Sequence, residues 1–412
     1  MSWRITLLFI FIIFIGLSGD QLPVPKKKAV PAPAPAPTTS AALQKIKIIA
    51  NTLLNIPEGC THGFYLDNDL LVFGAPDGEA REEMPLNKYI VCNRQGEVVK
   101  EYEKVLFWNG GPLMLKVNAL NTLLLINLAT GDQQIIDIDY PAISAFSFNP
   151  FSKAFIYALG WQNQIWEYNY ETRTNRIVAK LPSGGFLLIS QVSPNEIVYA
   201  RSKVTAYYKM FDDEPFINVQ VPLYLINLKI YKEVQLTRIS RTGILMHFDQ
   251  DKQELLFMVE EDGFLKILKS GDLRNPKLVK ISQLNRYAER GFEGIVLHHS
   301  EMHPQSGLMA CSFLRLNYKG DPKKNRFEIY NLHSENFAVA SSEILLLDMQ
   351  GNSRLLTSTP DKNEVVCDWS PDGNEILYFD QKNKHFYTME LDLSGEFTKK
   401  TLEVNQENVI RI

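Results

Sequence analysis

The segment Val365–Phe379 has the sequence VVCDWSPDGNEILYF. Apolar residues recur on both sides of its centre in the manner of half-buried β-strands. At the centre, Pro371 presets φ for a tight turn and Gly373 tolerates a positive φ at its exit. The segment therefore predicts a strand, a tight turn and a second strand. A third and a fourth strand are predicted at His385–Leu391 and Lys399–Val404, which completes a four-stranded antiparallel sheet.

Degenerate copies of this strand–turn–strand unit recur along the chain. Four copies are recognisable, at Ala145–Tyr157, Ile189–Tyr199, Leu245–Phe257 and Leu297–Ala310. Successive turns lie roughly 40–70 residues apart, about the length of one four-stranded sheet. The longest interval contains a polar insert at Asn317–Ser334. Two weaker units, which begin at Phe64 and Leu113, precede the four copies.

Seven such units predict an all-β fold, a seven-bladed β-propeller of four-stranded antiparallel blades, with six or eight blades as alternatives. A ring of sheets buries both faces of each sheet and leaves only short edges. Closing the ring requires one terminus to add a strand to the blade formed by the other. The candidates are Leu43–Leu54, which the sequence leaves open between helix and strand, and the tail Val409–Ile412, which we favour.

The segment Trp369–Gly373, followed by Ile376, Tyr378 and Phe379, resembles the WD40-like repeat of TolB-like propellers. The resemblance covers roughly residues 56–404 and implies that Trp369 fills the gap between neighbouring blades. It also implies a periplasmic propeller that binds partner proteins of the cell envelope. TolB itself has an α/β domain before its propeller, and residues 1–43 offer no counterpart. The resemblance is therefore to the family and not to TolB proper.

The N-terminal region predicts export. Residues 1–18 combine Arg4, the apolar run Ile5–Ile15 and small residues before a cleavage point after Ser18, which is the pattern of a signal peptide. The alternative is an uncleaved membrane anchor facing the periplasm, although Trp3–Leu17 falls short of the about 20 apolar residues that span a bilayer. Residues 19–43, rich in Pro and Ala, predict an extended linker. Residues 44–412 form the predicted propeller.

Charge and cysteine content exclude three classes of protein. The net charge of −4 provides no basic field for nucleic acid. Four cysteines without a Cys-x-x-Cys spacing make neither a disulfide scaffold nor a structural zinc site. Cys60 and Cys92 belong to the same unit and are candidates for one disulfide in an oxidising compartment. Cys311 and Cys367 are predicted to be buried thiols.

The sequence predicts no catalytic, cofactor-binding or metal-binding residue. His298, His299 and His303, beside Glu301, are the candidates for a metal site. However, neighbouring residues of a strand point to opposite faces, which separates His298 from His299. The acidic runs 212–214 and 260–262 are predicted to be solvated turns.

Two functions follow from these observations. The prediction is a periplasmic or secreted scaffold that binds proteins of the cell envelope without a cofactor. The alternative is a propeller enzyme, either a metal-dependent lyase or a lactonase-like hydrolase, that acts at the central channel.

Overall fold

The computed structural model describes residues 41–77, 86–108, 110–120, 122–138, 142–149, 151–160, 162–181, 186–201, 203–207, 216–220, 223–236, 244–249, 254–261, 264–269, 277–280, 293–303, 306–318, 337–348, 352–359 and 361–393. The predicted signal peptide, the linker up to residue 40 and the tail lie outside these residues. The described chain is all-β apart from the short helix α1, Ala41–Lys45. No helix in the described part has the length and hydropathy that crossing a membrane requires.

The first sheet that follows has seven strands. After β1, Lys47–Leu53, these are β2 His62–Tyr65, β3 Leu70–Pro76, β4 Asn87–Asn93, β5 Val98–Phe107, β6 Leu113–Val117, β7 Leu123–Asn127 and β8 Gln133–Ile136. Every neighbouring pair is antiparallel. Most of β5 pairs with β4, whereas Val105 and Phe107 also pair with β6. The sheet therefore consists of two successive four-strand meanders that share β5.

Four-stranded antiparallel sheets continue along the chain. The next comprises β9 Ile143–Asn149, β10 Ala154–Leu159, β11 Gln164–Asn169 and β12 Thr174–Lys180. The following sheet comprises β13 Phe186–Ser193, β14 Glu196–Arg201, β17 Leu223–Asn227 and β18 Lys232–Gln235. Between β14 and β17 the chain forms a separate two-stranded ribbon of β15 Lys203–Tyr207 and β16 Phe216–Gln220. The sequence analysis did not predict this ribbon.

The last sheets are built in the same way. One contains β19 Ile244–Asp249, β20 Glu254–Glu261, β21 Phe264–Lys269 and β22 Lys277–Lys280. The next contains β23 Glu293–Met302, β24 Met309–Tyr318, β25 Phe337–Leu347 and β26 Ser353–Leu355. The final sheet contains β27 Glu364–Trp369, β28 Glu375–Asp380 and β29 His385–Asp392. The structure thus confirms the antiparallel strand pairs predicted around residues 150, 194, 250, 304 and 371, although residues 150, 250–253, 304 and 305 lie outside the described part of the chain. Glu260 and Glu261, predicted to lie in a turn, instead end β20.

The core lies between successive sheets. Strands β6–β8 pack against β9–β11, and β9–β12 pack against β13, β14 and β17. Strands β24 and β25 pack against β27–β29. Strand β27 is largely buried, whereas the outer strand β12 is largely exposed. Strand β2 contacts β27 and β28, so the first and last sheets are also neighbours. This is the arrangement of blades in a β-propeller.

The strand that completes the last sheet comes from the N-terminal side. Strand β1 pairs antiparallel with β29, from Lys47 opposite Asp392 to Leu53 opposite Tyr387. The candidate Leu43–Leu54 therefore supplies a closing strand, whereas the favoured tail Val409–Ile412 lies outside the described residues. The predicted strand Lys399–Val404 lies outside the described residues.

Helix α1 and the residue that follows it explain why the N-terminal segment occupies this edge. Leu43 and Ile46 are buried among residues of the last two sheets. The Arg354 guanidinium of β26 donates hydrogen bonds to the Leu43 carbonyl at 2.7 Å and to the Ile46 carbonyl. These contacts hold the chain at the point where β1 begins.

Candidate interaction surface

Of the three candidate histidines, only His303 has a side chain within the part of the chain that the structure describes. The register of β23 shifts between His298 and Ser300, so a β-bulge at His299 breaks the simple alternation that the sequence analysis assumed. His303 lies beyond the strand and is only 5% exposed. Its ring packs edge-on against Trp369 with 4.8 Å between centroids, and its Nδ1 accepts a hydrogen bond from the Ser306 amide at 3.0 Å. His303 therefore has a packing role.

Burial is the main electrostatic influence on His303. It lowers the pKa of the imidazole to about 4, while a hydrogen bond with the Gly373 main chain acts in the opposite direction. In the described part of the chain, no three His, Cys, Asp or Glu side chains are grouped as a metal site would need. The alternative of a propeller enzyme requires several such side chains to lie close together at the central channel.

All four cysteines are free thiols in the structure. Cys60 and Cys92 are buried in one cluster between the first and last sheets. Burial, and secondarily Cys92, raises the pKa of Cys60 to about 11. Cys311 is buried, as predicted, and Cys367 is half-buried.

A polar network joins the first and last sheets. The Tyr65 amide donates to Asp368 Oδ2 at 2.8 Å, and the Tyr65 hydroxyl donates to Glu375 Oε2 at 3.0 Å. Arg94 forms an ion pair with the same Glu375 oxygen and lies 5.5 Å from the centre of the Tyr65 ring. Sequence reasoning missed this network because its members are about 300 residues apart. Its role is to hold the sheets together.

Exposed apolar side chains are concentrated on two outer strands. Among the described residues, ten large apolar side chains are exposed, and five of them lie on β1 and the start of β5: Ile48, Ile49, Leu53, Val98 and Val99. Ile49 and Val99 are each 60% exposed, and Leu53 is 53% exposed. We call these five residues the rim surface. Clustered exposed apolar residues are typical of interaction sites, whereas isolated ones are not.

The chain path brings the two strands of the rim surface together. Gly96, in the turn before β5, lies so close to Asn55, just after β1, that an added Cβ would stand 1.7 Å from the Asn55 carbonyl oxygen. Gly96 also has φ of +85°, a conformation that glycine adopts without strain. The end of β1 and the start of β5 are therefore neighbours.

Within the part of the chain that the structure describes, strand β1 also presents a backbone edge that pairs with no other strand. It is the terminal strand of its sheet in the order β1-β29-β28-β27, so one row of amide and carbonyl groups faces outward. Other outer strands carry charges within them, such as Arg176 in β12 and Glu233 in β18. In contrast, β1 has the sequence KIIANTL, with its single charge at the first residue. Natural proteins usually protect such edges with charges, proline or a covering segment.

Among known proteins, similarity to this chain was found only in solved structures. No family model matches the chain, and no curated protein does. A structure of RRP9 WD40 repeats is 11% identical, with a TM-score of 0.49 over 84% of this chain and 100% of that one. The Myceliophteria thermophila Cps50 (Swd1) β-propeller domain is 12% identical, with a TM-score of 0.47 over 82% and 99% of the two chains.

An oligogalacturonate lyase in complex with manganese is 10% identical, with a TM-score of 0.42 over 83% of this chain and 90% of that one. At these identities and scores, the similarities assign neither a family nor a function to this chain.

Proposed function

We propose that the chain is an exported, seven-bladed, TolB-like propeller that binds another protein through the rim surface. The number seven counts the two meanders that share β5 and the five four-stranded sheets. The repeat around Trp369 supports the TolB-like assignment, and residues 1–18 support export.

The observation that carries the binding function is the exposed apolar edge of β1. An extended segment that pairs with this edge satisfies its outward-facing amide and carbonyl groups while its side chains cover the apolar ones. Lys45 and Lys47 lie at one end of the edge, and the segment Ala41–Leu53 contains no acidic residue. The partner that fits is an extended, apolar protein segment with an acidic residue at the end beside Lys47.

Site-specific photo-crosslinking in living cells tests the binding function. A photoreactive residue at Ile49 is expected to crosslink one defined partner, because the partner strand lies against this edge. The matched control is the same residue at Ile230, which is exposed in the turn between β17 and β18.

The second part of the crosslinking experiment places a charge within the edge of β1. The Leu53→Lys variant should lose the Ile49 crosslink while keeping the melting temperature of the wild type. Equal crosslinking from Ile49 and Ile230, or a crosslink that survives Leu53→Lys, would show that the rim surface is not the binding site.

Export is tested separately by N-terminal sequencing of the soluble and membrane fractions. Cleavage after Ser18 should give a mature protein that begins at Gly19 and lies outside the cytoplasm. Recovery of an intact N-terminus in the membrane fraction would favour the anchor facing the periplasm.

A further inference from the structure

The direction of the backbone groups of β1 is set by a hydrogen bond at its end. The Leu54 amide donates to the Phe386 carbonyl of β29 at 2.9 Å. Along an antiparallel strand, the backbone groups point alternately toward and away from a given neighbour. The amide and carbonyl groups of Asn51 and Leu53 therefore point away from β29. Within the described part of the chain, no strand pairs with β1 on that side.

The same segment lacks the features that prevent an edge strand from pairing. Charges, proline and β-bulges are the usual protection. The register of β1 shifts only between Ile48 and Ala50, and its single charge is at Lys47. Residues 50–53 lie beyond both positions and contain no proline. They keep a short, regular edge that a further strand can extend.

Opposite charges lie at the two ends of the rim surface. Lys47, at the start of β1, is exposed. Glu58 and Glu97, both exposed, lie on the side where β1 ends, because Glu58 follows the strand closely and Glu97 adjoins Gly96, which abuts Asn55. The surface is therefore basic at one end, acidic at the other and apolar between them.

A surface with this distribution of charge is complementary to itself. In a two-fold symmetric dimer both subunits use the same surface, and every contact occurs twice. Antiparallel pairing of two β1 strands places the basic end of each copy against the acidic end of the other. The partner that fits the rim surface is an extended, apolar segment with an acidic residue beside Lys47. Strand β1 and the acidic residues beyond its end provide this chemistry.

We propose that the rim surface binds a second copy of this chain, with the two β1 strands paired antiparallel across a two-fold axis. Asn51 of each copy pairs with Leu53 of the other, and Lys47 of each copy faces Glu58 and Glu97 of the other. The last sheets of the two copies thereby become one continuous sheet. This inference rests on the binding function proposed above and names its partner.

Sedimentation velocity of the purified protein over a wide range of concentrations tests the proposal, and the wild type is expected to dimerise. Lys47→Glu makes both ends of the rim surface acidic, and the double variant Glu58→Lys/Glu97→Lys makes both ends basic. Each of these changes should raise the dissociation constant of the dimer about tenfold, because it acts at two symmetric contacts.

Mixing the two variants provides the decisive measurement. An equimolar mixture should associate about as tightly as the wild type, since every contact between the unlike chains then joins opposite charges. This recovery would also show that both variants are folded. Glu171→Lys, in an exposed turn, is the matched control and should dimerise as the wild type does.

Two results would overturn the proposal. One is a wild type that stays monomeric at every concentration. The other is a dimer that the charge reversals do not weaken, because it would use a different surface. The crosslink from Ile49 separates this failure from failure of the binding function. Crosslinks between differently tagged copies support the dimer, whereas a crosslink to a different protein from a monomeric chain overturns the dimer and supports the binding function.

Discussion

At the scale of single residues, His303, Trp369 and Gly373 connect the last two sheets. The Trp369 indole donates to the Glu301 carbonyl at 2.9 Å, and the His303 ring packs against that indole. Gly373 has φ of +76°, and an added Cβ would stand 2.3 Å from His303 Nε2. Position 373 therefore requires glycine both for its backbone conformation and for the space that the imidazole occupies.

The Gly373→Ala variant is expected to lower the free energy of unfolding by about 2–4 kcal/mol, since it adds a clash to backbone strain. Gly131→Ala is the matched control, because Gly131 has a similar φ of +77° and nothing within 4 Å of an added Cβ. This control should lose only about 1–2 kcal/mol. Urea unfolding measures both values, and equal losses would contradict the role assigned to His303.

Stability should also decrease in acid because of His303. The folded-state pKa of about 4 lies below the usual value of 6.5, so the unfolded chain binds the proton more readily. The stabilisation is complete above pH 6.5, declines as the pH falls and is lost near pH 4. Its upper limit is about 3 kcal/mol. Chemical unfolding at a series of pH values measures this effect. As the pH falls, the free energy of unfolding should decrease less in His303→Gln than in the wild type, whereas the exposed control His385→Gln should behave as the wild type does.

Part of this arrangement was predicted from the resemblance to the WD40-like repeat. That resemblance implied that Trp369 packs between neighbouring sheets, and the structure confirms it. The contact between Gly373 and His303 joins two units 70 residues apart in the chain. Local sequence contains no signal for such a pair.

At the scale of elements, β1 shows how tertiary contacts decide between equivalent strands. Both Lys47–Leu53 and Val409–Ile412 are β-prone, so strand propensity could not select the closing segment. The buried Leu43 and Ile46, with the Arg354 hydrogen bonds to this region, favour the N-terminal segment. The rim surface could not be predicted either, because apolar β1 residues are exposed only through their position at a sheet edge.

Deletion of residues 41–53 should therefore lower the melting temperature sharply and promote aggregation, because it exposes the edge of β29 and removes Leu43 and Ile46 from the core. Deletion of residues 409–412 serves as the comparison and should leave the melting temperature unchanged. Differential scanning calorimetry of both variants decides the matter. If only the C-terminal deletion lowered the melting temperature strongly, the result would instead support closure of the ring by the tail.

At the scale of the whole molecule, stability depends on the contact between the first and last sheets. The strand repeats predicted a succession of similar sheets, because each unit repeats the same local pattern. They could not predict the polar network of Tyr65, Arg94, Asp368 and Glu375, whose geometry exists only where the first and last sheets meet.

A double-mutant cycle measures this contact. The Arg94→Ala and Glu375→Ala changes should show a coupling energy of about 1–3 kcal/mol, since the pair is partly buried and also holds the Tyr65 hydroxyl. The more exposed pair Lys88–Glu101, with 2.7 Å between Nζ and Oε2, is the matched control and should give a clearly smaller coupling energy, because solvent screens it. Equal coupling energies in the two cycles would show that the network adds nothing beyond a surface ion pair.

The pairing of β1 with β29 also has a consequence for biosynthesis. The ribosome makes β1 early, but its partner Asp392 follows Lys47 by roughly 340 residues. At about 5–20 residues per second, β1 waits roughly 20–70 s for its partner strand to be made. During that time a strand with three large apolar residues and no proline is open to mispairing. Strand β1 therefore stays without its native partner until translation is almost complete.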